Sequence, residues 1–112
     1  MSGEIYIDIE DAKQRLLGNM GLVVKMLQKF IDKPNLSELA DAIEKADYNT
    51  AALVAHTIKG VAANLSFKDL YNKAQLLETA LKEGKMDDEL YAQVKESLEK
   101  TIETAQKVIS EN

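Results

Sequence analysis

The sequence predicts an all-α fold, an antiparallel up-and-down four-helix bundle with short additional N-terminal helices. Ala, Leu, Glu and Lys dominate the 112 residues, and these residue types favour helix. The chain has only one proline and five glycines. Apolar residues recur at helical spacing in several segments, whereas no segment alternates with the period of a strand over a useful length. Short connections between amphipathic helices favour antiparallel neighbours, which gives the bundle.

The first three helical segments are recognised by the residues that interrupt them. A short first helix is predicted over about 9–17, and Gly18 ends it. The second helix begins after Asn19, carries one apolar stripe and stops at Pro34. Asn35 is then expected to cap a third helix, because asparagine is a favoured N-cap residue.

The remaining three segments are longer. The fourth helix, predicted over about 49–65, contains the only histidine of the chain, His56. Ser66 is expected to cap a fifth helix, which Gly84 ends. The last helix is predicted from the acidic residues near 87 to about 110, because negative charge is favourable at a helix N-terminus.

Length and composition limit the classes of protein that the chain can belong to. We expect one domain over 1–112, since this length is sufficient for one core. A net charge of −5 argues against nucleic-acid binding, and no apolar run is long enough to insert into a membrane. The N-terminus lacks the pattern of a signal peptide, and cysteine is absent. These features predict a cytoplasmic protein.

The stretch AHTIKGVAANLS, 55–66, contains His56, and helical spacing predicts which way that side chain points. With a step of 100° per residue, the large apolar residues of this helix lie on the side opposite His56, so we expect His56 to face solvent. That apolar side consists of Ala51, Val54, Ile58, Val61 and Leu65. The residues around His56 are very small, namely Ala52, Gly60 and Ala63, so the ring should stand clear of its own helix.

Two neighbours of His56 indicate phosphoryl chemistry. Gly60 costs about 0.5–1 kcal/mol relative to alanine inside a helix, which calls for a reason such as the close approach of another protein. Lys59 lies one turn after His56 and is a suitable neighbour for a dianionic phosphoryl group. An exposed imidazole is largely neutral near pH 7 and can act as a nucleophile. The ordinary interpretation of each residue alone, a solvated surface side chain, remains open.

The segment AHTIKGVAANL resembles the histidine-containing phosphotransfer (Hpt) domain of multistep two-component signalling, whose members typically show A-H-x-L-K-G. The resemblance covers nearly the whole chain. The stretches YIDIEDAKQRLLGN, LQKFID and LYNKAQLLETALKEGK are similar to the family's N-terminal lead-in, second helix and helix after the histidine. Two positions depart from the family pattern: Ile58 replaces a leucine, and Ser66 stands where glycine is frequent.

The resemblance implies a phosphorelay intermediate without an ATP site or a cofactor of its own. His56 would accept a phosphoryl group from the aspartate of one receiver domain and pass it to another. Lys59 would support the imidazole or the phosphoryl group, and Gly60 would give the receiver access. Magnesium would come with the receiver. The implied partners are response-regulator receiver domains and a hybrid histidine kinase, and the chain is expected to be a monomer.

Receiver domains are expected to dock on the residues around His56. Besides Lys59 and Gly60, these are Asn49, Ala52, Ala63 and Asn64.

Three other functions are weighed against the relay. The dimerisation domain of a histidine kinase usually has an acid directly after its histidine and a proline soon after, whereas Thr57 follows here and the only proline is Pro34. A helical adaptor or scaffold with an idle His56 is the main alternative. An enzyme is the weakest, since one histidine and no cysteine provide few metal ligands, and no triad is legible.

Overall fold

The computed structural model describes residues 6–112, and this part of the chain forms six helices and no strand. The all-α prediction is therefore confirmed. In chain order the helices are α1 (Ile9–Arg15), α2 (Met20–Asp32), α3 (Leu36–Glu44), α4 (Tyr48–Leu65), α5 (Lys68–Lys82) and α6 (Asp88–Ser110).

Four of these helices begin with a side chain that accepts a hydrogen bond from a backbone N–H of the first turn. The four N-cap residues are Asp8, Asn19, Asp47 and Asp87. Such a cap stabilises a helix by about 1 kcal/mol relative to alanine. The ends of α1 and α5 are followed by Gly18 and Gly84, both at positive φ, as predicted for helix stops.

Two predicted caps are wrong. Asn35 precedes α3 in a left-handed conformation, with φ of 68°, and its side chain makes no cap hydrogen bond. Ser66 ends α4 rather than capping α5, and its hydroxyl donates to the Asp11 carboxylate. Both residues adopt the left-handed backbone of a tight turn, whereas a side-chain N-cap normally starts from an extended backbone.

The four longest helices close around a common core. α4 makes its most extensive contact with α5, α5 packs on α6, α6 on α2, and α2 on α4. The connections 66–67 and 83–87 are short, so the helices that they join run antiparallel. The shorter helices lie outside this ring: α3 packs on α4, and α1 packs on α4 and α2.

The turn between α4 and α5 is fixed from two sides. Phe67 is fully buried and packs its ring against Phe30 of α2, with 4.8 Å between the ring centroids. On the other side, Asp8 donates its backbone N–H to the Ser66 carbonyl over 3.1 Å and pairs with Lys68 at 3.0 Å. α4 and α5 are therefore held in a defined mutual register. No helix within residues 6–112 has the combination of length and apolarity needed to cross a membrane.

Candidate functional site

His56 lies in the middle of α4, and its side chain is 63% exposed. The opposite side of the helix is buried, with Ala51, Ile58 and Leu65 all at 2% exposure or less. Helical spacing alone predicts this outward orientation. The ring is thus accessible while the helix that carries it is anchored in the core.

Glu78 of α5 fixes the orientation of the His56 ring. The distance between His56 Nδ1 and Glu78 Oε2 is 3.1 Å, a hydrogen bond between two helices. The Glu78 side chain is only 4% exposed, so the ring hydrogen-bonds to a buried carboxylate rather than to one in solvent. The Nδ1 edge of the imidazole is therefore bound to the protein.

Two lysines complete the same cluster. Lys59 Nζ lies 2.9 Å from Glu78 Oε1, and Lys82 Nζ lies 2.8 Å from Glu78 Oε2. Oε1 makes no well-aligned hydrogen bond with any described residue, so the nearby ammonium of Lys59 is what compensates its charge. Lys59 is mostly covered, with 23% of its side chain exposed, whereas Lys82 is 65% exposed.

The charge state of Glu78 determines which nitrogen of His56 is free. Burial by itself raises the pKa of Glu78, but the contacts with Lys82, Lys59 and His56 outweigh burial and lower that pKa to about 2. The ionised carboxylate can only accept hydrogen bonds, so Nδ1 of a neutral ring must carry the hydrogen. Nε2 then keeps its lone pair, and it is the nitrogen available to a reactant.

Gly60, one turn after His56, is exposed and has open space above it. A Cβ built on this residue would meet no described atom within 4 Å apart from its chain neighbours and the adjacent backbone of α4. Neither a positive φ nor internal packing requires glycine here. No contact within residues 6–112 therefore requires glycine at this position.

The other residues predicted around His56 fall into two groups. Asn49 is exposed and Ala52 is 5% exposed, and both line one shallow depression together with His56, Glu78 and Lys82. Ala52 is covered because α5 packs on this flank of α4. Ala63 and Asn64 lie outside this depression. Ala63 is partly buried and lines a second cleft between α1, α4 and α5, and Asn64 is exposed near the end of α4.

Three residues of the site were missed by sequence reasoning: Leu53, Glu78 and Lys82. Leu53 lies one turn before His56 on α4 and is 69% exposed, a large apolar side chain in the same depression. Glu78 follows the buried Leu77 directly and lies one turn after the buried Ala74. An acid on the apolar stripe of a helix is a signal that a sequence does contain, since such a group needs a partner.

Comparison with known proteins gives one match. A family model of the Hpt domain matches residues 25–109, which is most of the chain and includes α3 to α5 entirely. No curated protein and no solved structure matches the chain. The matched range contains the whole cluster of His56, Lys59, Glu78 and Lys82.

Proposed function

This chain belongs to the Hpt domain family, and on that premise we propose that His56 is its phosphoacceptor. Hpt domains have a phosphotransfer role in phosphorelays, where they interact with receiver domains, and they are phosphoryl carriers rather than enzymes. In our proposal His56 takes the group from the aspartate of one receiver domain and passes it to the aspartate of another. The observation that carries this assignment is the hydrogen bond between Nδ1 and the ionised Glu78.

The proposed transfer follows from that hydrogen bond. The lone pair of Nε2 attacks the phosphorus of a receiver phosphoaspartate, the N–P bond forms, and the P–O bond breaks. The receiver aspartate leaves as a carboxylate. His56 keeps the hydrogen on Nδ1 and becomes a phosphorylated imidazolium, whose positive charge faces Glu78 at 3.1 Å. The reverse sequence passes the group to the next receiver.

Lys59 and Gly60 have supporting roles in this proposal. Lys59 is held near the ring through Glu78 and offers a positive charge to the phosphoryl oxygens. Gly60 leaves the space that a receiver needs to bring its aspartate to Nε2. Asn49, Ala52, Ala63 and Asn64 are proposed contacts of that receiver, with Ala52 contributing from the floor of the depression.

The proposed partners are response-regulator receiver domains and a hybrid histidine kinase, and magnesium comes with the receiver. We propose that the chain acts as a monomeric domain spanning 1–112 in the cytoplasm. Its own contribution is to present and orient one imidazole, and the acidic residues that bind magnesium belong to the partner.

A transfer assay tests this function. Wild type, His56→Gln and the exposed-neighbour control Thr57→Ala are incubated with a panel of phosphorylated receiver domains, and the acid-labile label is followed by intact mass. We expect wild type and Thr57→Ala to take up the label and return it to a second receiver, and His56→Gln to take up none. Equal labelling of His56→Gln would refute the site. Receiver binding without any transfer would favour a helical adaptor instead.

A further inference from the structure

The short helix α1 has a limited apolar attachment to the ring of four long helices. Of its seven residues only Ala12 is buried, whereas six of the eighteen residues of α4 are buried. Ile9 and Leu16 are partly buried against the core, and Ile7, just before the helix, is 5% exposed. A helix of this length does not keep its conformation in water by itself. The stability of α1 therefore depends on its contacts with the ring.

Polar contacts join α1 to the turn between α4 and α5. The Asp11 carboxylate accepts a hydrogen bond from the Ser66 hydroxyl of that turn. Asp8, the N-cap of α1, pairs with Lys68 at 3.0 Å and donates its backbone N–H to the Ser66 carbonyl. The Ser66 hydroxyl, together with the Arg15 guanidinium, lowers the pKa of Asp11, so this carboxylate is ionised at neutral pH and can only accept. Both acids thus attach α1 to the same turn.

The other end of α1 has an unfavourable backbone conformation. Leu17 follows the helix with φ of 62°, in the left-handed region, and the residue is 96% exposed. A residue with a Cβ is unfavourable in this region, and a side chain so exposed gains nothing from packing to offset the strain. The conformation of Leu17 is therefore one that the bound helix imposes.

We propose that residues 7–16 form a clip that detaches from the four-helix ring as a unit while the ring stays folded. The detached segment loses its helix and Leu17 leaves the left-handed region, so backbone strain favours opening, whereas the polar contacts with the α4–α5 turn favour closing. Opening removes one wall of the cleft that Ala63 lines. The imidazole of His56 is oriented by Glu78 of α5 and keeps its position. This inference does not depend on the proposed function.

Native-state hydrogen exchange, followed by NMR, tests the clip because it resolves single amides. The amides of residues 12–16 report α1, and the slowest amides of α4 and α6 report the ring. In the wild type we expect the α1 amides to exchange at least about tenfold faster than the ring amides. Low concentrations of urea should change the α1 rates little, because a local opening exposes little surface.

Two substitutions weaken the contacts from the ring side and leave the sequence of α1 unchanged. Ser66→Gly suits the φ of 60° at this turn and removes a hydrogen bond to a charged group, so α1 exchange should accelerate about tenfold. Lys68→Gln should accelerate it less, about twofold, because it removes an exposed ion pair. Lys45→Gln is the matched control. Lys45 forms an equally exposed pair of 3.0 Å with Asp41, and its loss should leave α1 exchange unchanged.

A third substitution acts on the strain and has the opposite sign. Asparagine adopts the left-handed backbone more readily than leucine, so Leu17→Asn should slow the exchange of the α1 amides about threefold. In all these variants a small phosphoramidate donor should label His56 at the wild-type rate, because the clip does not contribute to the orientation of the ring.

Wild-type α1 amides that exchange as slowly as the ring amides would overturn the inference. Unchanged α1 exchange in Ser66→Gly would also contradict it, and so would an equal acceleration of the α1 and ring amides, because the contact would then belong to global stability. Hydrogen exchange needs neither a receiver domain nor a phosphoryl group. A failure of transfer between receivers would consequently refute the relay and leave this result unaffected.

Discussion

Glu78 keeps an ionised carboxylate in a position where only 4% of its side chain is exposed. An unpaired charge at such a depth would cost several kcal/mol, so the neighbouring cations are what make this position possible. Three side chains contact this carboxylate at the α4–α5 interface and compensate its charge, namely Lys59, Lys82 and His56. The orientation of the His56 ring thus follows from the hydrogen bond that helps to compensate a buried carboxylate.

The pH dependence of the free energy of unfolding tests whether Glu78 is held ionised by its neighbours. The pKa of Glu78 is about 2 in the folded chain and about 4.3 in an unfolded one, so its contribution is complete above about pH 4.3 and is lost as the pH falls towards 2. We expect Glu78→Gln to lower the free energy of unfolding by about 1–3 kcal/mol at pH 7 and by progressively less towards pH 2. Urea unfolding at a series of pH values measures this difference.

The control for this comparison is Glu99→Gln, which removes an exposed acid of α6. It should follow the wild-type stability at every pH. A Glu78→Gln deficit that stays constant from pH 7 to pH 2 would mean that the carboxylate is not held ionised by its neighbours.

His56, Lys59 and Gly60 were predictable because they occupy successive turns of one helix, where spacing alone determines direction. Glu78 and Lys82 were not predictable, because they belong to α5 and only the packing of α4 on α5 brings them close to the His56 ring. The position of Glu78 on the apolar side of α5 indicates that it needs a partner, but no local pattern says which residue that is.

At the scale of the elements, α4 combines a tightly packed side with an exposed one. Its buried residues are mostly alanines, which allow the close contact with α5, whereas Gly60 on the exposed side touches nothing. A helix-interior glycine in open space lowers the stability of the helix with no benefit to internal packing. We therefore interpret Gly60 as a position kept small for a partner.

Two substitutions of Gly60 separate stability from docking. Gly60→Ala should raise the free energy of unfolding by about 0.5–1 kcal/mol, because alanine is the better helix former and meets no neighbour. Gly60→Leu should fold equally well but lower the affinity for a receiver at least about tenfold, or 1.4 kcal/mol. Thermal unfolding and receiver titration measure the two effects. Gln106→Leu, an added exposed leucine on α6, is the control, and undiminished receiver binding by Gly60→Leu would contradict the close approach.

A buried hydroxyl of α6 allows a second test of stability, which does not involve the residues around His56. The hydroxyl of Thr101 is fully buried and has no hydrogen-bond partner among the described residues. Replacing it by the isosteric valine removes that unsatisfied group, so we expect Thr101→Val to stabilise the fold by about 1 kcal/mol. Thermal or urea unfolding measures this change.

Thr104→Val is the matched control for that substitution. The Thr104 hydroxyl is also on α6 but donates to the Lys100 carbonyl over 2.9 Å, so its loss should bring no gain. Equal effects of the two substitutions would show that the Thr101 hydroxyl is satisfied in solution.

The helix boundaries show where sequence reasoning reaches its limit at this scale. α2 begins after Asn19 as predicted, and the Asn19 side chain caps it, whereas Asn35 and Ser66 do not cap the helices that follow them. Asparagine and serine are both favoured N-cap residues, so the residue type alone does not determine which of these positions is a cap. The backbone conformation decides, because Asn35 and Ser66 both adopt left-handed turns. The Ser66 hydroxyl instead donates a hydrogen bond to Asp11 of α1.

At the scale of the whole molecule, residues 6–112 form a ring of four long helices, and His56 lies on the outer surface of one of them, α4. The bundle was predictable because apolar periodicity and short connections leave few alternatives. The contacts between the α1 region and the α4–α5 turn could not be predicted, because they join residues that are more than fifty positions apart in the sequence.

The oligomeric state distinguishes this bundle from a kinase dimerisation domain, whose helical hairpins assemble in pairs. We expect a monomer with the mass of the chain, 12.4 kDa, at all accessible concentrations. The four long helices already cover one another, and the exposed surface beside His56 includes the charged Lys82. Sedimentation equilibrium measures this, and a concentration-independent dimer would contradict the expectation.

The central claim is that Nε2 of His56 carries the phosphoryl group while Nδ1 stays protonated against Glu78. Its most direct test is nitrogen and phosphorus NMR of the protein labelled with ¹⁵N-histidine and phosphorylated by a receiver domain, since the chain has a single imidazole. We predict phosphorus coupling at Nε2 and a hydrogen-bonded proton on Nδ1. Phosphorus on Nδ1, or a receiver that leaves the imidazole unmodified, would contradict the account.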